Sequence, residues 1–335
     1  MPAHPDPAVS QVRAAVRRFL ADHDIAQRAG TVAVACSGGA DSLALAAATV
    51  HCTAALGVPV HGLIVDHQLQ LESAEVARTT AGQLRQLGCA AVQILPVTVN
   101  SAAGCGGLEA AARLARYQAL RAAAPPGAPV LLGHTLDDQA ETVLLGLGRG
   151  SGPRSVAGMR ELDPPWGRPL LTVRRAVTAA ACVALRLQPW ADPHNADPRF
   201  RRVRLRTEVL PLLEEVLAGG VAEALARTAE QLREDLDVLD RQASGLLAAA
   251  RRSVDSTDLD TDLDTDLDVA VLASHPAALR RRVLRRWLLD AGVPELTDAH
   301  LRAADDLIGR WTGQGPLRLP GAVDLARTRG RLHVS

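Results

Sequence analysis

Two short segments hold most of the side chains able to do chemistry. SGGADS (37–42) sets two glycines, two serines and one carboxylate between an apolar β-branched run, TVAVAC, and a stretch that reads as helix. Glycines let the backbone approach an anion, serines add hydroxyl donors, and a helix N-terminus offers free N–H groups to phosphate. The spacing is not GxxxxGK, since the lysine is absent, and it is not GxGxxG. The second segment, GHTLDDQAETVLLGLGRGSG (133–152), follows another apolar run. On a helix, Asp138 and Glu141 are three apart and Asp138 and Thr142 four apart, so they share a face. His134 lies just before them, where it could point into a cleft. Two carboxylates on one face could bind a cationic amine or a second metal, or act as a base.

The elements that must position these segments form a repeating pattern. TVAVAC (31–36), VHGLIVD (60–66), AVQILPV (91–97) and PVLLGH (129–134) read as strands. They alternate with helical patterns after residue 42, around Ala74 to Leu87, near Leu108 to Ala123, and from about Asp137. Strands that are apolar throughout and separated by helices predict a parallel sheet covered on both faces. The expected fold class is α/β, a doubly wound parallel sheet over roughly 25–215, whose ligands sit beyond the strand carboxyl ends. An amphipathic helix from Pro7 to Asp22, burying Val12, Val16, Phe19 and Leu20, precedes it. A long helix over about 222–251 and helices near 276–291 and 297–311 follow, with short strands and turns from 315 to 334. The domain reading is a catalytic domain at 1–215, a helical linker with an Asp-rich segment at 216–268, and a small second domain at 269–335.

Composition narrows the class. The 335 residues are 47% apolar but only 2% aromatic, so the cores must be built from Leu, Val and Ala. No run of about 18 apolar residues is present, and MPAHPDPAVS lacks the basic-then-apolar pattern of a secretory signal. A cytoplasmic protein with no membrane partner is expected. The five cysteines, Cys36, Cys52, Cys89, Cys105 and Cys182, are scattered with no CxxC pair, against a zinc ribbon or redox dithiol. Net charge is zero, yet every basic residue is an arginine, concentrated in RFRRVRLR (199–206) and LRRRVLRR (279–286). The TDLDTDLDTDLD run (257–268) adds six aspartates to the acidic side and reads as a solvated linker.

The order of SGGADS, VDHQL (65–69), ARLARY (112–117), GHTLDDQAETVLLGLGRGSG with AGM (157–159), and PWADPHNADPRFRRVRLRTEVLPLL (189–213) resembles the tRNA(Ile)-lysidine synthetases. These belong to the PP-loop ATP pyrophosphatase superfamily, with an adenine nucleotide alpha hydrolase-like fold. The likeness is strong over roughly 30–215 and looser over 270–334. It implies an enzyme that uses ATP to adenylate O2 of the wobble cytidine in the CAU anticodon of an isoleucine tRNA. Free L-lysine then attacks C2 through its ε-amine and AMP leaves. By the same resemblance, Ser37, Gly38, Gly39, Asp41 and Ser42 would cradle the ATP phosphates, with Asp41 holding Mg²⁺. Asp66 and His67 would lie near the adenosine, and Arg113 and Tyr117 would face the same cleft. His134, Asp138 and Glu141 would bind lysine and orient its amine. Arg202 and Arg206 would reach the reacting centre or nearby tRNA phosphate, and the run at 280–286 would add phosphate contacts. Val203 stands where the family commonly has asparagine, and the TDLD run has no counterpart. Three other readings use the same loop: a tRNA thiolase, an amide-forming synthetase acting on a small molecule, and a non-enzymatic ATP sensor. The resemblance leaves the oligomeric state open.

Overall fold

The computed structural model describes residues 6–68, 72–98, 107–150, 152–193, 197–255 and 266–335. The chain divides into two compact units, Met1–Gly150 with Ser155–Glu230 and Ser151–Arg154 with Gln231–Ser335.

The first unit is organised by its sheet. Its strands are β1 (Val32–Ala35), β2 (Val60–Asp66), β3 (Ala91–Pro96), β4 (Val130–Leu132), β5 (Leu162–Asp163) and β6 (Trp166–Gly167). They lie in the order β3-β2-β1-β4-β6-β5, all parallel to their neighbours except β5, which runs antiparallel to β6 at the edge. Val32, Ala33 and Val34 of β1 have no exposed surface, as expected of a strand flanked on both edges and both faces. Alternation along β1 divides the core. Val32 and Val34 join the cluster built with α1 (Pro7–Asp22), α2 (Ala40–Ala54) and α3 (Ser73–Leu87), where Phe19, Leu43 and Leu84 are fully buried. Ala33 joins Leu63, Leu120, Val130 and Trp166 on the other face, under α4 (Gly107–Ala123).

The doubly wound parallel sheet is therefore as expected, with two differences. β3 is an edge strand whose Ile94 is 37% exposed, so it is not covered on both faces. β5 and β6 escape the sequence pattern, because two-residue strands leave no periodicity to read. The strand order places a switch point between β1 and β4, where chain order turns from one side of the sheet to the other. SGGADS leaves β1 and GHT leaves β4, so both chemistry-bearing segments emerge at that crevice. α5 (Leu136–Arg149) and α6 (Arg175–Ala184) complete this region.

The second unit contains most of α7 (Val221–Asp255), together with α8 (Ala277–Asp290) and α9 (Asp298–Gly309). These pack with an antiparallel sheet of β7 (Leu267–Asp268), β8 (Leu317–Leu319), β9 (Val323–Thr328) and β10 (Arg331–Val334), in the order β7-β10-β9-β8. Trp287, Leu272, Leu325 and Leu332 fill its core. Most of the TDLD run lies outside the described residues, but its end is not linker: Leu267 is fully buried and pairs with Leu332. Burial of that one leucine outweighs the polar texture of the repeat. The arginine run of α8 is also committed internally in part. Arg280 donates to Asp305 at 2.7 and 3.1 Å, and Arg282 lies 3.3 Å from Asp240. The expectation that the whole run faces phosphate is corrected accordingly.

Gly146 of α5 shows how tightly the first unit is closed. A Cβ there would lie 2.0 Å from the Ser155 carbonyl oxygen, a backbone atom that cannot turn aside. In an open helix Gly→Ala stabilises by about 1 kcal/mol. Here Gly146→Ala is expected to reverse that sign and cost about 1–3 kcal/mol, read as a lowered Tm in thermal unfolding.

Candidate active site

The loop after β1 is shaped for close approach. Gly38 has φ +86°, and a Cβ there would lie 2.5 Å from Thr80 Oγ1, so any side chain is excluded by conformation and by space. Ser42 is buried at the first turn of α2; its hydroxyl donates to the Gly39 carbonyl (2.9 Å) and accepts from the Ser37 amide (3.2 Å). The Gly38 carbonyl accepts from the Trp190 amide (2.9 Å), tying the loop to the 189–193 segment. Gly39 caps α2, so Ser37, Gly38 and Gly39 lead directly into free helix N–H groups.

Asp41, in the first turn of α2, points toward α6. Thr178 donates its hydroxyl to Asp41 Oδ1, and Arg175 Nε lies 3.5 Å from Oδ2. Burial pushes the Asp41 carboxyl up, with Thr178 and Arg175 opposing the shift. Arg175 also donates Nη2 to Asp138 (2.7 Å) and sits 3.5 Å from Glu141. Arg206 completes the group, with Nε 2.9 Å from Glu141 Oε1 and Nη2 3.9 Å from Asp138. Asp41, Asp138, Glu141 and Arg206 thus form one constellation bridged by Arg175. Glu141 has no exposed side-chain surface, whereas Asp138 keeps 13%.

Local sequence explains this placement. Thr135 and Asp138 form a capping box that starts α5: the Thr135 amide and hydroxyl both donate to Asp138 Oδ2 at 2.8 Å. Burial resists charge on Asp138, but Arg175 and these donors outweigh it and hold the carboxyl below the usual range. Arg206 lies in a π-helical turn, Leu205–Val209, just ahead of Pro211. Proline cannot donate, and its ring crowds the carbonyl four residues back, so the preceding turn widens. π turns of this kind recur at functional sites.

The remaining candidates form a neighbouring group. Asp66 ends β2 as a buried residue accepting from the Gln68 amide (3.0 Å). His67 follows it with a buried Nδ1 that has no partner among the described residues. Arg113 donates to the Tyr117 hydroxyl (3.2 Å), and the Tyr117 ring stands edge-on to Trp166. His134 also has a buried Nδ1 without a partner among the described residues; burial, joined by repulsion from Arg168, Arg116 and Arg113, lowers its pKa to about 3 against the pull of Asp138. Arg202 lies close enough to this group to repel Arg116, whose pKa burial chiefly lowers.

Arg175, Thr178 and Arg116 do not stand out in the sequence. A signal for Arg175 exists: Arg174-Arg175 opens a helix with no acid in its first turn, against the preference of a helix N-terminus for negative charge. Cations in that position imply carboxylates arriving from elsewhere. Among the described residues no group of three or more His, Cys, Asp or Glu could hold a metal ion, and Cys36, Cys52, Cys89 and Cys182 are free. Cys105 lies outside the described residues. No helix among them is long and apolar enough to cross a membrane.

A glycine loop after the central strand, opposite a capped acidic helix at the switch point, defines a PP-loop protein, and the PP-loop domain family model matches residues 9–213. The model of the TilS substrate binding domain matches 267–333. The chain is 55% identical over 334 residues to the tRNA(Ile)-lysidine synthase of Rhodococcus jostii, covering 98% of this chain and 96% of that protein. It is 54% identical over 310 residues to that of Mycobacterium tuberculosis strain H37Rv, covering 92% and 90%. The chain belongs to the tRNA(Ile)-lysidine synthase family. In fold it is also similar to the U34-tRNA thiolase NcsA from Methanococcus maripaludis, with a TM-score of 0.57 at 17% identity over 68% of this chain and 79% of that one.

The His134 environment has a measurable consequence. An unfolded histidine takes a proton near pH 6.5, while His134 in the fold resists it down to about pH 3. Its contribution is therefore intact above about pH 6.5 and is lost as pH falls, at about 1.4 kcal/mol per unit. Urea unfolding between pH 7 and pH 5 should show a steeper loss of stability in the wild type than in His134→Asn; equal slopes would contradict the assigned neutrality.

Proposed function

We propose that this chain ligates lysine to C2 of the wobble cytidine of an isoleucine tRNA bearing CAU, through an adenylated cytidine. The observation that carries the reading is the bridge at Arg175, which sets the loop carboxylate Asp41 and the pair Asp138 and Glu141 in one crevice. Groups suited to phosphate and groups suited to an amine are then close enough to act on one base in succession.

In the first step O2 of the cytidine attacks the α-phosphorus of ATP and diphosphate leaves. Ser37, Gly38, Gly39 and Ser42 cradle the phosphates, with the α2 N-terminus adding its dipole. Mg²⁺ would neutralise charge on the leaving diphosphate when bound. A single carboxylate with substrate oxygens is a set this ion accepts, and the position of Asp41 at the loop fits it. In the second step the ε-amine of lysine attacks C2 and AMP departs, adenylation having turned a poor leaving oxygen into a good one. Asp138 stays charged and partly accessible, so it receives and orients the amine. Glu141, buried and tied to Arg206, holds that guanidinium in place. His134, neutral at working pH, offers Nδ1 to a neutral polar group, with His67, Asp66 and Arg113 lining the nucleoside side.

An anticodon loop presents an unpaired base that can be splayed into such a crevice and read on its edges. Arg201 and Arg202 are the candidate phosphate contacts on this unit, with Arg199 held by Asp197, and Arg285 and Arg286 are those on the other.

The test is incubation with Mg²⁺, ATP, radiolabelled lysine and an isoleucine tRNA transcript bearing CAU, with the elongator methionine transcript as control. Label is expected on the isoleucine tRNA alone, with AMP released in step. AMP without label would favour sulfur transfer, and absence of both would overturn the enzyme reading. Asp41→Ala is expected to abolish AMP formation while tRNA binding, followed by filter retention, changes little.

A further inference from the structure

In a chain with 2% aromatic residues, Trp311 is the only exposed aromatic among the described residues, at 38%. Trp287 of the same unit lies buried in the core. A single exposed apolar side chain needs no explanation in itself. The mounting of this one does. It follows α9 directly, and Arg327 of β9 sets its guanidinium over the ring, 4.9 Å from the centroid. Arg327 is fixed in turn: its Nη1 donates at 2.8 Å to the Leu307 carbonyl, in the last turn of α9, where carbonyls lack helical partners. The loop carrying the ring is clamped as well. Gln314 Nε2 donates to the Arg310 carbonyl at 2.8 Å, and Gln314 Oε1 accepts from the Thr312 amide at 2.7 Å. A large flat side chain is thus held out of the core on a tied loop, with one face backed by a cation.

The surroundings select the partner. Hot spots of protein interfaces sit in apolar, well-packed centres. Trp311 instead has exposed Thr312, Gly313 and Gly315 beside it in the chain. Residues 310–331 hold five arginines (Arg310, Arg318, Arg327, Arg329 and Arg331) and one acid, Asp324, which is paired with Arg318 at 2.8 Å. The Arg310 side chain is 83% exposed and meets Asp306 only at 3.9 Å. Arg329, two residues past Arg327, is exposed at the turn between β9 and β10. A ring for a base, with guanidiniums beside it for phosphate, is what an unpaired nucleotide requires.

We propose that Trp311 stacks an unpaired base of the tRNA other than the target cytidine, while Arg310 and Arg329 meet the adjoining phosphates. This rests on the tRNA-modifying function proposed above and adds a base contact made by the second unit. Because ring and loop are fixed before binding, the stack costs little further ordering. Arg327 contributes by holding the indole. Stacking tolerates any base, so the contact reads that a nucleotide is unpaired and where it lies, not which base it carries.

The experiment titrates the full-length protein with the isoleucine tRNA transcript by filter retention across a salt series, as wild type, Trp311→Ala, Trp311→Phe and Arg310→Gln. A wild type that retains no tRNA overturns the proposed function itself. Given retention, Trp311→Ala is expected to weaken binding about tenfold. Its salt dependence should stay that of the wild type, because a stack releases no counterions. Trp311→Phe should recover most of the loss. Arg310→Gln should weaken binding less and reduce the salt slope by about one. Wild-type affinity in Trp311→Ala would overturn the inference in favour of a protein contact. Should Trp311→Ala fold poorly, tryptophan fluorescence decides. A short unpaired oligoribonucleotide is expected to quench the wild type more than a duplex of equal length does, and Trp311→Phe to lose that difference. Equal quenching by the two RNAs, or a difference that persists in Trp311→Phe, overturns the inference.

Discussion

The charge balance of the crevice between α2, α5 and α6 depends on one guanidinium. Arg175 faces Asp41, Asp138 and Glu141 at once, and without a cation there three partly or fully buried carboxylates would repel one another at close range. Their attraction in turn raises the pKa of Arg175 against the effect of burial. The carboxylates come from two helices that follow different strands, and the guanidinium from a third, so correct docking of α2, α5 and α6 is a condition of charge balance. Because Arg175 is held by its backbone amide on Asp137 as well, its position is set by main chain and side chain together.

The sheet's order supplies the geometry that this balance requires. β1 and β4 are adjacent, and the chain leaves both at the same edge of the crevice. Gly133 shows how little slack remains: a Cβ at that position would stand 3.0 Å from the Asp41 carbonyl carbon and the Ser42 amide. The two segments therefore approach backbone to backbone, and any side chain at Gly133 would push against the start of α2.

Much of this is legible in the sequence, and what is not has physical reasons. Uninterrupted apolar runs such as TVAVAC mark the central strands, and period 3.6 marks α1 with Val12, Val16, Phe19 and Leu20 buried. SGGADS and LDDQAET announce themselves by residue type. Arg175 and Thr178 do not, because their role exists only through partners over a hundred residues distant for Asp41 and about forty for Asp138. β3 reads as covered because sequence cannot tell a central strand from an edge. Leu267 is hidden by the aspartates around it, since composition averages over a segment while burial acts on one side chain. The arginines of α8 illustrate the converse: a run of like charge reads as a surface, yet Arg280 is held against Asp305 inside the second unit.

The widened turn at Leu205–Val209 is one residue longer than an α-helix of the same rise would need. A helix that carries such a surplus is out of phase with itself: the residues before it and after it face directions about 100° from where a regular helix would put them. Arg206 sits inside that turn, its Nε 2.9 Å from Glu141, while the residues from Leu210 onward follow the widened ring closed by the Leu210 amide on the Leu205 carbonyl. Loss of one residue within Leu205–Val209 would close the slip and turn Leu210, buried with Leu136 and Ala140, about 100° out of its seat.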